Sequence, residues 1–170
     1  ESNHATSPGG GIFVGGGSGG SVTLNSSPFL SNTSTSGNGG GIYLSSAATD
    51  VSLSDSTFVN NYAGAPGGGM YLSSASALTL TNSPFVSNTS NSVGGGIYLD
   101  ALNGSLSLSD SRFESNRATS PGGGIHISGG SGGSVTLDSS PFLSNTSTSG
   151  NGGGIYLSSA ATAVSLNEST

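Results

Sequence analysis

The chain has 170 residues, a formal net charge of −6 with 2 Lys+Arg against 8 Asp+Glu, and no cysteine. That balance argues against binding nucleic acid or an anionic membrane surface through basic residues. The missing cysteines remove any disulfide framework or thiolate metal site, and no apolar run approaches the ~18–20 residues of a membrane span.

Gly (31) and Ser (39) dominate, and apolar residues make up only 31%. Taken alone, this composition describes a disordered linker. The placement of the apolar residues reverses that, because they return at fixed phases. In chain order, the first element of each copy is a glycine triplet followed by an apolar-aromatic-apolar trio. It begins as Gly9-Gly10-Gly11-Ile12-Phe13-Val14 and recurs at Ile42, Met70, Ile97, Ile125 and Ile155, at spacings of 30, 28, 27, 28 and 30 residues. The second element alternates, as in Val22-Thr23-Leu24, Val51-Ser52-Leu53, Leu78-Thr79-Leu80, Leu106-Ser107-Leu108, Val135-Thr136-Leu137 and Val164-Ser165-Leu166. The third centres on Phe29, Phe58, Phe85, Phe113 and Phe142, each five residues after the Leu. Three residues beyond each Phe stands Asn32, Asn61, Asn88, Asn116 or Asn145.

A fixed period in this range marks a stacked repeat protein. Short alternating segments predict strands with one face buried, no segment carries helical spacing, and Gly, Ser, Asn and Pro fill the corners. The expectation is an all-β parallel solenoid with three short strands per coil and about six coils. At the ~4.8 Å strand spacing the rod is roughly 29 Å long. Ile12, Val14, Val22, Leu24 and Phe29 are expected to point inward in the first full coil, with a core Phe stack along the axis. The constant Leu-to-Phe spacing predicts one fixed corner, and the other two corners tolerate insertions.

The Asn column is expected to be a structural ladder. A corner Asn can bond its own turn and the Asn one coil away. The rival is glycosylation, since Asn32, Asn88 and Asn145 each begin an Asn-Thr-Ser triplet. Asn61 and Asn116 hold the same phase without the triplet, which favours the ladder. The glycines permit positive φ and close backbone approach at a bend. No Lys or helix follows them, so a phosphate-cradling loop is not indicated.

These paired motifs, Gly-Gly-Gly-Ile (39–42 and 94–97, for example) and Phe29-Leu30-Ser31-Asn32 with its four later copies, resemble the polymorphic outer membrane protein repeats of chlamydiae and related bacterial surface proteins. That family more often has Ala at the third glycine position. The resemblance covers the whole chain and implies a right-handed parallel β-helix. It also implies export to the cell surface, often as an autotransporter passenger and often adhesive.

A longer period overlies the first. Residues 1–57 align with 114–170 without gaps at 49 of 57 positions, a super-repeat of 113 residues or four coils. Both ends fall in phase and lack polar caps, so residues 1–170 are expected to form a single solenoid segment of a longer tandem array, associating end to end.

Three outward columns remain. Phe13, Tyr43, Tyr71, Tyr98, His126 and Tyr156 form an aromatic stripe. Its readings are same-face packing, lateral contact with another rod, or a platform for sugar rings. Leu30, Val59, Val86, Glu114 and Leu143 form a second, mostly aliphatic stripe. Thr23, Ser52, Thr79, Ser107, Thr136 and Ser165 form a solvated Ser/Thr file whose flanks are too mixed for an ice-binding surface.

Enzyme chemistry has little support. Asp55, Asn82 and Asp110 share a phase, and two coils would separate the carboxylates by ~9.6 Å, near inverting-glycosidase spacing. Short corners build no cleft around them, and no basic residue matches their phase. His4 and His126 lie at different phases and are expected to be incidental surface residues. Gly15–Gly20 holds no Asp for RTX-type calcium binding. The sequence therefore indicates an extracellular or cell-surface fibre or adhesin rod, non-enzymatic, with no cofactor and no metal. Its expected partners are other copies of itself and host or matrix glycans. The alternative is a carbohydrate-active or carbohydrate-binding β-helix.

Overall fold

The computed structural model describes residues 1–16, 20–45, 48–131, 133–158 and 161–169. Thr170 and part of the Gly15–Gly20 stretch lie outside the described residues. Among the described residues every paired strand runs parallel to its neighbours, and no helix is present. The chain winds through four ladders per turn. The first, the Ile sheet, holds Ile12–Val14, Ile42–Leu44, Met70–Leu72, the start of Ile97–Ser109, Ile125–Gly129 and Ile155–Leu157. The Leu sheet holds Gly20–Asn25, Ala48–Ser54, Ala75–Thr81, the end of Ile97–Ser109, Gly133–Asp138 and Ala161–Asn167. The Phe sheet runs from Phe29–Leu30 to Phe142–Leu143.

The three expected strands are thus joined by a fourth. Two-residue strands follow each Asn corner, from His4–Ala5 through Thr33–Ser34, Tyr62–Ala63, Thr89–Ser90 and Arg117–Ala118 to Thr146–Ser147. Their inward residues are small, with Ser34, Ala63, Ser90 and Ala118 fully buried, so they carry no apolar signal. Among the described residues, the six strands of this sheet and the five of the Phe sheet make five complete turns and most of a sixth.

Register follows the repeat phase. Met70 pairs with Ile42 and Ile97, Leu80 with Leu53 and Leu108, and Phe85 with Phe58 and Phe113. Like therefore stacks on like, and the core is continuous along the axis. Phe58, Phe85, Phe113, Leu53, Leu80, Leu99 and Ile97 are all fully buried. Each coil contributes few apolar residues, yet each is covered from above and below, which is how 31% apolar content sustains a core. The terminal coils lack that second cover. Ile12 and Val14, expected inside, are 40% and 37% exposed because only one neighbouring coil packs on them. Register shifts occur at Gly20/Ser21, Ala75/Ala77 and Gly133/Ser134, all entering the Leu sheet, where repeat length also varies.

Three bends per coil use left-handed backbone. One is the first glycine of each triplet, from Gly9 to Gly152 at φ 64 to 80. The others are non-glycine: Ser26, Asp55, Asn82, Asp110, Ser139 and Glu168 at φ 45 to 52, and Ser2, Ser31, Asn60, Ser87, Ser115 and Ser144 at φ 49 to 55. Short polar side chains tolerate this region best. At the glycine bend the coil-to-coil hydrogen bonds continue through the corner, Gly68 N donating to Gly94 O at 3.0 Å and Gly69 N to Gly96 O at 3.0 Å.

A matched pair of glycines separates handedness from packing. Gly16 and Gly67 both have φ +78, but a Cβ on Gly16 meets nothing within 4 Å, whereas one on Gly67 meets Met70 C at 2.8 Å and Tyr71 Cα at 3.0 Å. Gly16→Ala is expected to cost only the left-handed penalty, about 1–2 kcal/mol. Gly67→Ala should cost clearly more, as read by urea unfolding of the two variants. Equal losses would contradict the close-packed bend.

Candidate functional site

The repeat builds columns, so the candidate sites are columns too. The Asn ladder lies inside. Asn88 shows its full pattern: Nδ2 donates to Asn116 Oδ1 at 2.9 Å and to Phe58 O at 2.9 Å. Its Oδ1 accepts from Asn61 Nδ2 at 2.9 Å and from the Asn61 backbone N at 3.0 Å. Both donors and both lone pairs are used. The pattern runs from Asn32 through Asn61, Asn88 and Asn116 to Asn145. Asn3 extends it, donating to Asn32 Oδ1 at 2.9 Å. Asn32 and Asn88 are buried, 1% and 0% exposed, so in the folded rod their amides are closed to a glycosyl donor. The Phe column stacks beside them, with ring centroids 4.7, 4.4, 5.0 and 4.9 Å apart from Phe29 to Phe142 and planes within 9°. The ring separations match the strand spacing along the axis, so each ring lies parallel over the next.

A second polar ladder occupies the fixed corner. Ser27, Ser56, Ser83 and Ser111 donate their backbone N–H to the Ser Oγ one coil on, at 3.1, 3.2, 3.0 and 3.0 Å, and Ser140 does so to Ser169 at 2.9 Å. Each accepting hydroxyl donates in turn to the carbonyl two residues back, as Ser83 Oγ does to Thr81 O at 2.8 Å. The signal was a Ser three residues after every Leu of the second strand, hidden because Ser is 39 of 170 residues.

The aromatic stripe lies on the outer face of the Ile sheet. Phe13–Tyr43, Tyr43–Tyr71 and Tyr71–Tyr98 stack at 5.1, 4.8 and 5.2 Å. The ring faces are turned to one another along the axis, so only edges and hydroxyls remain outside. A sugar ring stacking on aromatics needs a free face, and the interior of this column offers none.

His126 breaks the stack. It is 7% exposed, not an incidental surface residue, because it fills a Tyr position between Tyr98 and Tyr156 at 5.3 and 4.9 Å. Its ring stands edge-on to both, at 60° and 62°, with Nδ1 3.1 Å from Pro121 O. Burial pushes its pKa down, opposed by the Pro121 carbonyl and Asp100. His4 is exposed, with Nε2 2.8 Å from Thr35 Oγ1.

Tyr98 Oη donates to Asp100 Oδ1 at 2.8 Å. Burial, then the Asp100 charge, pushes the Tyr71 phenol up to about 12. Among the aliphatic stripe, Leu30, Val59, Val86 and Glu114 are half-buried and Leu143 is 43% exposed. In the Ser/Thr file Thr23, Ser52, Thr79, Thr136 and Ser165 are exposed and Ser107 half-buried.

Each carboxylate of the enzyme reading has a hydrogen-bond donor: Asp55 takes Asn82 from the next coil, and Asp110 Oδ2 accepts from the adjacent Ser109 Oγ at 3.1 Å. Asp55, Asn82 and Asp110 all sit at left-handed corners, and Asn82 Nδ2 donates to Asp55 Oδ1 at 2.7 Å. One residue earlier in the repeat, at the end of the Leu strand, Asn167 Nδ2 donates to Asp138 Oδ1 at 2.7 Å. Among the described residues no group of three or more His, Cys, Asp or Glu is placed to hold a metal ion. A cavity of about 350 Å³ opens at the N-terminal end, between Phe29, Ile12, Pro28 and Asn32. It lies where the Phe column stops.

No curated protein and no solved structure matches the chain. The family model for the right-handed β-helix region matches residues 1–170. The chain belongs to the right-handed β-helix family.

Proposed function

We propose that the chain serves as a structural rod of an extracellular fibre or cell-surface adhesin, of the kind that polymorphic outer membrane protein-like repeats form. The carrying observation is the set of unbroken columns: Asn on Asn, Phe on Phe and Ser on Ser through successive coils. Such a body is built to extend rather than to enclose a substrate. The reading is non-enzymatic, which the pairing of Asp55 with Asn82 at its corner supports.

End-to-end contact with a second copy belongs to the same reading. Like stacks on like from coil to coil, so a second copy seated on Ile12–Val14 at one end or Ala161–Asn167 at the other would continue the same columns. Sedimentation velocity over a concentration series tests it. The expected result is elongated oligomers that grow with concentration and retreat in a Phe13→Asp, Leu166→Asp double variant. A well-folded chain that stays monomeric at every concentration would refute the end-to-end reading.

A further inference from the structure

Tyr43, Tyr71 and Tyr98 are the three consecutive tyrosines of the outer column. Their centroids lie 4.8 and 5.2 Å apart and their planes meet at 14° and 29°. All three are half-buried, reachable at their edges. One member already has a proton acceptor in place, since the Tyr98 phenol donates to the Asp100 carboxylate at 2.8 Å. A phenol gives up an electron readily only if its proton can leave with it, so Tyr98 is the natural point of entry. Tyr71 stays protonated at neutral pH and lies face to face with Tyr98, placed to exchange the radical with it.

We propose that the Tyr43–Tyr71–Tyr98 run is a site of oxidative modification, where a haem peroxidase with hydrogen peroxide joins neighbouring coils through a tyrosine–tyrosine carbon–carbon bond. Each of two phenols loses one electron and one proton. The unpaired spin is shared between the oxygen and the ring carbons beside it. A bond forms between one such Cε of each ring, and the two ring hydrogens at that bond shift to the oxygens, restoring both phenols. Hydrogen peroxide takes up the two electrons and two protons and becomes two waters. The protein loses two hydrogens and gains a staple between residues paired across the Ile sheet, Tyr43 to Tyr71 or Tyr71 to Tyr98.

The other two of the five tyrosines are built-in controls. Tyr62 pairs with Thr33 and Thr89, and its hydroxyl accepts from Asn91 Nδ2 at 2.6 Å. Tyr156 is separated from Tyr98 by His126. The experiment treats the dilute chain with horseradish peroxidase and hydrogen peroxide. It reads dityrosine fluorescence and maps linked peptides by mass spectrometry. Reactants held in contact react at effective concentrations far above bulk, so Y71F, which breaks both adjacent pairs, is expected to cut the yield per chain by about tenfold or more. Y43F should keep the Tyr71–Tyr98 link, and Y62F and Y156F should match the parent chain. Phe13 already occupies this column, so Tyr→Phe preserves the stack, and circular dichroism checks it. The proposal is overturned if the parent chain forms no dityrosine, if Y71F keeps the parental yield, if links map to Tyr62 or Tyr156, or if yield per chain falls on dilution.

Discussion

Asn88→Ala is expected to cost about 3–5 kcal/mol, against a total stability of roughly 5–15 kcal/mol for a folded domain. The side chain removed makes four hydrogen bonds in a fully buried site. Truncation leaves the Asn61 backbone N–H without its acceptor and strips one partner each from Asn61 Nδ2, Asn116 Oδ1 and the Phe58 carbonyl. Unpaired groups of this kind, rather than the lost bonds, set the penalty. Asn88→Asp probes the same site electrostatically. A carboxylate there would face Asn116 Oδ1 and Phe58 O, both acceptors, so the folded state favours the neutral acid. With the folded pKa raised, the penalty is absent below the ordinary Asp value of about 3.9 and grows as pH rises through and above it. Asn103→Ala is the control, since Asn103 is exposed and should change stability by less than about 0.5 kcal/mol. Urea unfolding of the three variants at neutral and acidic pH checks all of this. Equal effects at Asn88 and Asn103 would contradict the ladder.

Phe85→Ala is expected to cost about 3–5 kcal/mol, the range for deleting a buried ring and leaving its cavity. Phe85 is fully buried between Phe58 and Phe113, at 4.4 and 5.0 Å. The cavity cannot collapse easily, because the strand spacing that sets those distances is held by backbone bonds such as Phe85 N to Arg112 O at 2.9 Å. Phe142→Ala should cost visibly less, since Phe142 is only half-buried and has one neighbouring ring, Phe113 at 4.9 Å. Thermal unfolding of both variants reads the contrast. A larger loss at Phe142 than at Phe85 would count against a column covered from both sides.

What was legible in the sequence follows from what repeats conspicuously. Ile42 and Phe58 belong to residue types scarce in this chain, and Leu53 and Asn61 stand five residues before and three after that Phe, a spacing every copy keeps; period plus alternation then set strands, register and inward faces. The fourth sheet was not legible because Ser34, Ala63, Ser90 and Ala118 are small and chemically silent, although tight coil packing buries all four. The Ser56–Ser83–Ser111 ladder was hidden in a background of serine. A lone histidine in a polar chain reads as a surface residue, and only the column around His126 shows otherwise. Its place in the Tyr column determines its burial, since the rings above and below cover it. The stripe itself was visible, but the direction of its ring faces was not. Strand spacing turns those faces along the axis, which takes them away from a sugar ligand and brings tyrosine against tyrosine.

The most direct test of the columnar architecture is hydrogen exchange of the asparagine side-chain amides, followed by NMR. In an in-register Asn ladder, the Nδ2 hydrogens of Asn61, Asn88 and Asn116 are bonded to the next Asn and to a Phe carbonyl. They can exchange only when the coils part. The account predicts that these amides exchange as slowly as the most protected backbone amides of the Leu sheet, while Asn103 exchanges at once. Rapid exchange at Asn61, Asn88 and Asn116 in a chain whose backbone amides stay protected would contradict it.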